Sequence, residues 1–268
     1  MSDTKKELLE KDSYSFEDLV SVMEILRSED GCPWDREQTH ESIRNNFIEE
    51  TYEVIEAIDT KNPTLLCEEL GDVMLQVVFH AEIESEKGVF SISDVTDGIC
   101  KKLILRHPHV FGNVNADTSE EVLKNWEKIK SEEKQRLTVA DKLRAIPPML
   151  PALMRAEKVG KKASCLDFPD ADSAAEKVRE ELAELENAAV SGNAEKTEEE
   201  AGDLLLAVTS LCRKLGVCPE NALNKATDKF ISRFSAVENA VTASGKDIKN
   251  MNMSELDALW DEIKHKKL

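Results

Sequence analysis

The chain has 268 residues, a formal net charge of −19 at pH 7 and a hydrophobic fraction of 41%. The charge argues against binding of a nucleic-acid polymer or an anionic membrane surface, because both require clustered lysine and arginine. The hydrophobic fraction argues against global disorder. The six cysteines form no CxxC pair or zinc spacing, and no apolar run is long enough to cross a bilayer. We therefore expect a cytoplasmic protein with reduced thiols and no membrane segment.

Helical periodicity fills nearly the whole first half of the sequence. Asn62-Pro63 is a break followed by a helix start, because proline is favoured at the first helical position. Thr118 and Glu121 form a capping-box pattern before a further helix. The pattern predicts helices over residues 16–27, 41–59, 64–86, 93–106 and 118–134.

Prolines 147, 148 and 151 then interrupt the periodicity. We predict an N-terminal repeat over residues 1–136, a linker over 137–150 and a C-terminal repeat over 151–268. In the second half, helices are predicted over residues 152–162, 173–190, 197–215, 219–243 and 254–264. No strand alternation of useful length occurs, so the predicted fold class is all-α, with two tandem helical-bundle repeats.

An acidic pattern occurs twice in the chain. An EExxE motif begins at Glu49 and is followed by an ExxD motif at Glu69, and both recur 131 residues later, at Glu180 and Glu200. Residues three or four apart share a helix face, and a short turn makes the two helices antiparallel neighbours. Four carboxylates per repeat are then predicted to converge as metal ligands: Glu50, Glu53, Glu69 and Asp72, and Glu181, Glu184, Glu200 and Asp203.

Carboxylates without histidine form a hard, oxygen-only site, which favours Mg²⁺, with Mn²⁺ as the substitute ion. Glu49 and Glu180 lie about 100° away on their helices, where they could bind a second ion or position a water. The alternative for a single EExxE is a solvated acidic face. Gly71 and Gly202 weigh against it, since glycine inside a helix costs about 1 kcal/mol and suggests close approach of a helix or ligand.

Basic and aromatic residues follow each acidic pattern. The pair Lys102 and Arg106 recurs as Lys229 and Arg233, and a helical pair of this kind can hold phosphate oxygens. A tryptophan followed four residues later by a lysine also recurs. Each tryptophan could stack on a base, and each lysine could reach a phosphate or a base. The alternative is that both tryptophans are core anchors. The second recurring set consists of Trp126 and Lys130, and Trp260 and Lys264.

The ordered motifs resemble the MazG family of nucleoside triphosphate pyrophosphohydrolases, in the all-α NTP pyrophosphatase superfamily. The resemblance covers nearly the whole chain. It is carried by the acidic repeats and by Gly31-Cys32-Pro33-Trp34-Asp35, Gln38-Thr39-His40, Arg106-His107-Pro108-His109-Val110-Phe111-Gly112 and Leu150-Pro151-Ala152-Leu153-Met154-Arg155-Ala156.

The resemblance implies a tandem-domain homodimer that hydrolyses nucleoside triphosphates to the monophosphate and pyrophosphate with Mg²⁺, and so clears the nucleotide pool. In the family the C-terminal repeat is credited with general hydrolysis. Either Glu180 or Glu181 would accept a proton from the attacking water. By motif, the metal ligands would be Glu181, Glu184, Glu200 and Asp203, and the nucleotide contacts Lys229, Arg233, Trp260 and Lys264.

Two other classes remain open from the residues. A di-iron carboxylate bundle needs ExxH pairs among its site helices. The chain has two such pairs, Glu37–His40 and Glu262–His265, but both lie outside the acidic helices. A non-catalytic helical module that senses nucleotide or binds a partner is the other alternative. The sequence does not set the base or sugar preference, nor whether the N-terminal repeat is catalytic.

Overall fold

The computed structural model describes residues 3–133 and 138–265, and within them every regular element is helical. This confirms the predicted all-α class. The chain divides into two compact units, Met1–Lys130 and Ser131–Leu268. The six cysteines are free thiols. Among the described helices, none combines the length and the apolar character that crossing a bilayer demands.

Helices through residue 133 follow the predicted pattern closely. The ends of the predicted helices lie within three residues of the observed ones, except that residue 134 lies outside the described part. Three short helices, over residues 3–9, 33–37 and 108–111, were not predicted. In chain order the helices are α1 (Asp3–Leu9), α2 (Phe16–Arg27), α3 (Pro33–Glu37), α4 (Arg44–Asp59), α5 (Pro63–Ser85), α6 (Ile92–Arg106), α7 (Pro108–Phe111) and α8 (Ser119–Glu133).

The acidic helices α4 and α5 pack against each other as a hairpin. The turn between them is short because Lys61 adopts a left-handed conformation, with a φ of 55°. Asn62 then caps α5 by accepting hydrogen bonds from the amides of Thr64 and Leu65. Pro63 takes the first helical position, where its missing amide hydrogen costs nothing. The hairpin therefore places the two acidic motifs on adjacent helices.

A buried arginine joins the loop before α4 to the end of α5. Arg27 donates from Nε and Nη2 to the two carboxylate oxygens of Glu86, at 2.6 and 2.9 Å. Its Nη1 donates to the backbone carbonyls of Asp35 and Gln38. The guanidinium also lies 5.3 Å from the ring centroid of Phe79, in the hydrophobic core of this unit. One side chain therefore holds the loop, the core and the far end of α5 together.

The second half again follows the predicted helices to within three residues. The predicted linker contains a short helix, because Thr138 and Asp141 form a capping box, while residues 134–137 lie outside the described part. The unit boundary falls within α8. The remaining helices are α9 (Val139–Arg144), α10 (Ala152–Lys162), α11 (Ala171–Ser191), α12 (Ala194–Lys214), α13 (Pro219–Ala243) and α14 (Met253–His265).

The helices α11 and α12 form the acidic hairpin of the second unit. Gly192 ends α11 in a left-handed conformation, with a φ of 70°, which glycine adopts without strain. Asn193 caps α12. An ion pair then fixes the loop before α11: the carboxylate of Asp167 accepts from both Arg213 and Lys214 at the end of α12. Arg213, helped by Lys214, holds the pKa of Asp167 well below its usual range.

Candidate metal centres and nucleotide contacts

The first carboxylate cluster consists of Glu50, Glu69 and Asp72. One carboxylate oxygen of each lies within 4.8 Å of the others. Glu69 is buried, with 8% of its surface exposed, and the other two are half-buried. Burial raises the pKa of Glu50, as does the charge of Asp72. Burial also raises the pKa of Glu69, as does the nearby carboxylate of Glu53. Burial and the neighbouring carboxylates thus disfavour the charged forms of Glu50 and Glu69.

The second carboxylate cluster consists of Glu181, Glu184 and Glu200, again with one oxygen of each within 4.8 Å of the others. Glu181 is 5% exposed, and its Oε2 has no hydrogen-bond partner. Burial raises the pKa of Glu200, and the charge of Glu184 adds to this effect. A buried carboxylate oxygen without a partner is costly, and a cation bound between these acids would satisfy it. The residues present therefore fit a divalent cation.

Each cluster contains three of the four predicted ligands. Glu53 is exposed, yet it lies close enough to interact with both Glu50 and Glu69. Asp203 is exposed and is absent from the second cluster. Both lie one turn from a clustered carboxylate and share its helix face. Neither has an oxygen within 4.8 Å of all the members of its cluster. The ligand roles stay predictions for all eight residues.

Two lysines at the second cluster were missed in the sequence. Lys177 Nζ lies 2.7 Å from carboxylate oxygens of both Glu180 and Glu181. Lys196 Nζ lies 3.9 Å from Glu200. The signal was present, because each lysine stands four residues before a buried glutamate and so shares its face. Glu180, one of the two predicted proton acceptors, is exposed and bound to Lys177, whereas Glu181 lies inside the cluster. Glu49, its counterpart in the first unit, is also exposed.

The glycines beside the acidic motifs lie in open space. A Cβ built at Gly71 or Gly202 would meet no atom within 4 Å in the described part of the chain. The predicted close approach of a helix is therefore wrong for the described residues, and approach of a ligand remains as a prediction.

We expect Gly202→Ala to raise the free energy of unfolding by about 0.5–1 kcal/mol, because alanine loses less backbone entropy in a helix. Urea unfolding measures this change, and Gly71→Ala is the matched variant in the other unit. A loss of stability would contradict the open space. A gain in stability with a loss of activity would place a ligand beside the glycine.

In the first unit, the predicted nucleotide contacts form a closed group. The Arg106 guanidinium lies 5.5 Å and the Lys130 ammonium 4.3 Å from the ring centroid of Trp126. Arg106 is buried, while Lys102 and Trp126 are half-buried. A base could stack on Trp126 only if at least one of the cations on its ring moved, or on the part of the ring that they leave open. The structure thus brings three of these residues together, in contact with one another.

In the second unit, the corresponding lysines and arginine do not lie against the tryptophan ring. Lys229, Arg233 and Lys264 form no ion pair or hydrogen bond with any residue of the described part. Trp260 lies 5.2 Å from Phe230 between ring centroids and packs on the core formed by Val237, Val241 and Ile263. Trp260 is therefore partly a core anchor, as the alternative interpretation predicted, and is also partly exposed.

A histidine pair lies away from the carboxylates. His40 Nδ1 is 2.7 Å from His80 Nδ1, and His40 Nε2 is 2.7 Å from Glu84. Burial, with the charge of His40, lowers the pKa of His80. His80 lies about 12 Å along α5 from Asp72, given a rise of 1.5 Å per residue. The histidine of the first ExxH pair is thus bound elsewhere, and this geometry does not support a di-iron site in the first cluster.

The raised pKa of Glu69 predicts how the stability of the metal-free protein depends on pH. A native carboxyl with a raised pKa contributes stability that is present below about pH 4, the unfolded value, and is lost as the pH rises through the native value. We therefore expect Glu69→Gln to gain stability relative to wild type as the pH rises from about 4 to 7. Urea unfolding in the presence of a chelator measures the difference in unfolding free energy between the variant and the wild type. Substitution of the exposed Glu120, in Glu120→Gln, is the control. A pH-independent difference between Glu69→Gln and wild type would contradict this prediction.

These observations define an all-α protein whose two helical hairpins each carry a carboxylate cluster suited to a divalent cation. The sequence profile described as "MazG nucleotide pyrophosphohydrolase domain" matches the chain twice, at residues 38–111 and 170–237. The chain therefore belongs to the MazG family, and the two separate matches confirm the predicted tandem repeat. The matched segments contain both clusters, whereas Trp126 and Trp260 lie beyond them.

Several proteins of similar sequence are named as nucleoside triphosphate pyrophosphohydrolases. The chain is 46% identical over 251 residues to the nucleoside triphosphate pyrophosphohydrolase/pyrophosphatase MazG of Thermotoga maritima, covering 93% of this chain and 95% of that protein. It is 41% identical over 257 residues to a nucleoside triphosphate pyrophosphohydrolase of Escherichia coli K12, covering 93% and 97%. For the Mycobacterium tuberculosis protein of that name, identity is 33% over 229 residues, covering 85% and 59%.

Proposed function

We propose that this chain hydrolyses nucleoside triphosphates to the monophosphate and pyrophosphate with Mg²⁺, for which Mn²⁺ can substitute, and so clears unwanted nucleotides. The observation that carries the proposal is the buried, unpartnered Oε2 of Glu181, within a carboxylate cluster that a family profile matches. Relatives named for this reaction align over nearly their full length. The net charge of −19 favours a small metal-bound nucleotide over a nucleic-acid polymer.

Glu181, Glu184 and Glu200 would hold the cation, with Asp203 one turn away on α12. When bound, the cation neutralises phosphate charge and acidifies water. Glu180 or Glu181 would accept the proton of the water that attacks the α-phosphorus in line with the leaving pyrophosphate. Glu180 is open to solvent, and Glu181 lies within the cluster, so their positions suit a proton acceptor and a ligand respectively.

Free cations on α13 and α14 support this division of roles. Lys229 and Arg233 lie one turn apart, and neither is engaged by a described residue. They would stabilise the charge that develops on the pyrophosphate. Lys264 would reach phosphate or base, and the exposed part of Trp260 would contact the ring. Lys102, Arg106, Trp126 and Lys130 would serve the first unit in the same way once a nucleotide displaces the contacts of Arg106 and Lys130 with Trp126.

Product analysis tests this function. We expect ATP with Mg²⁺ to give AMP and pyrophosphate in equal amounts, with no turnover in a chelator. A panel of nucleoside and deoxynucleoside triphosphates then sets the base and sugar preference. Formation of ADP and phosphate would contradict attack at the α-phosphorus. Nucleotide binding without metal-dependent turnover would favour the nucleotide-sensing alternative.

A homodimer forms part of the proposal, because the acidic hairpins leave large apolar side chains exposed. A small helical unit buries too little surface alone, and a second copy would cover these residues. Sedimentation analysis tests the dimer: Leu70→Glu should shift the protein towards the monomer, and an unchanged dimer would contradict this surface. The exposed hairpin residues include Ile48, Tyr52, Ile55, Leu70 and Met74 in the first unit, and Leu182, Leu205 and Leu206 in the second, where Phe230 and Phe234 of α13 are also exposed.

A further inference from the structure

A lysine stands inside the second carboxylate cluster. Lys177 lies one turn before Glu181 on α11, and its Nζ is 2.7 Å from an oxygen of that carboxylate. The Glu181 side chain is only 7% exposed, so this ion pair is partly shielded from water. Shielded pairs are screened less than surface pairs, and breaking one leaves a buried charge unpaired. Lys177 therefore neutralises part of the second cluster before any metal arrives.

The first cluster has no such cation. The position that matches Lys177, one turn before Glu50 on α4, is Asn46. The position that matches Lys196, one turn before Glu69, is Leu65. Within residues 3–133, Glu50, Glu69 and Asp72 form no ion pair with a lysine or arginine. Their negative charges face one another without compensation.

We propose that Lys177 is a resident counter-ion that competes with the divalent cation, so that the first cluster binds free metal more tightly than the second. The inference rests on the proposed function, since it takes both clusters to be metal sites. A metal entering the second cluster must share Glu181 with an ammonium group or displace it. A metal entering the first cluster meets only carboxylates, whose repulsion it relieves. The two repeats would thus fill at different concentrations of free metal.

Titration of the full chain with Mn²⁺, without nucleotide and read by electron paramagnetic resonance, tests this inference. We expect two classes of site, the tighter one lost in Glu69→Gln and the weaker one lost in Glu200→Gln. Lys177→Gln should tighten the weaker class by about tenfold, and Asn46→Lys should weaken the tighter class by a similar factor. The control Lys161→Gln removes an exposed lysine that pairs with the half-buried Glu157 on α10, away from both clusters in the sequence, and it should leave both classes unchanged.

Circular dichroism and thermal unfolding establish that each variant is folded. If Lys177→Gln does not fold, Asn46→Lys and the two wild-type affinities carry the test. Equal affinities of the two classes in the wild type, or a Lys177→Gln protein with unchanged affinity, would overturn the counter-ion role while leaving both metal sites in place. If neither Glu69→Gln nor Glu200→Gln alters Mn²⁺ binding, the metal sites themselves fail, and the counter-ion role fails with them.

Discussion

Glu181→Gln is expected to reduce turnover of nucleoside triphosphates by at least about a thousandfold. The change keeps the shape of a side chain that is 5% exposed but removes the charge that the cation needs. Metal chemistry supplies several kcal/mol of barrier reduction, and a thousandfold corresponds to about 4 kcal/mol. Release of pyrophosphate at saturating Mg²⁺ measures the effect.

The matched variant in the other repeat is Glu50→Gln, which stands at the same place in the first cluster. If only the second repeat hydrolyses nucleotide, Glu50→Gln keeps most of the activity. Equal losses in both variants would mean that both repeats are catalytic. Full activity in Glu181→Gln, with the fold intact, would contradict the assignment of the second cluster.

Arg27→Ala is expected to lower the free energy of unfolding by about 2–3 kcal/mol, less than for a fully buried ion pair because the Glu86 side chain is 37% exposed. The Arg27 side chain is 4% exposed, and its loss frees Glu86 as well as the carbonyls of Asp35 and Gln38. It also removes the guanidinium that lies against Phe79. Urea unfolding, followed by circular dichroism, measures the change.

Two further variants separate charge from packing. Arg27→Met keeps most of the side-chain volume, so it should be less damaging than Arg27→Ala but still clearly destabilised. Lys101→Ala removes an exposed partner of Asp97 and should cost less than about 1 kcal/mol. A stability for Arg27→Ala as high as that of Lys101→Ala would show that the bonds of Arg27 do not stabilise the loop.

Much of the fold could be predicted because local rules determine the helical hairpins. Asn62 and Pro63 signal a helix start. Carboxylates three or four residues apart lie on one face of a helix. Each cluster therefore contains most of its predicted members. The fourth ligand could not be placed with certainty, because helix spacing fixes a face but not the point at which side chains meet.

Contacts between distant segments were beyond the sequence. Nothing local to Arg27 indicates that it bonds to Glu86, 59 residues later, or that it holds the loop carbonyls. The approach of Arg106 to Trp126 also depends on how two helices pack, so the closed group was not anticipated. Lys177 differs from these cases. Its four-residue spacing from Glu181 is visible in the sequence, but the acidic pattern alone does not indicate that a lysine joins the cluster.

The loop that precedes each acidic hairpin is tied to the end of its second acidic helix, but with opposite charge polarity in the two units. In the first unit the arginine precedes the loop and the carboxylate, Glu86, follows α5. In the second unit the carboxylate, Asp167, lies in the loop and Arg213 ends α12. By the 131-residue offset Arg213 corresponds to Glu82, which also lies near Arg27. A hybrid that joined the early segment of one repeat to the hairpin of the other would therefore set Arg27 near Arg213, or Asp167 near Glu82. We therefore expect the two halves not to be interchangeable, because the loop of each is tied by a charge pair of the opposite order.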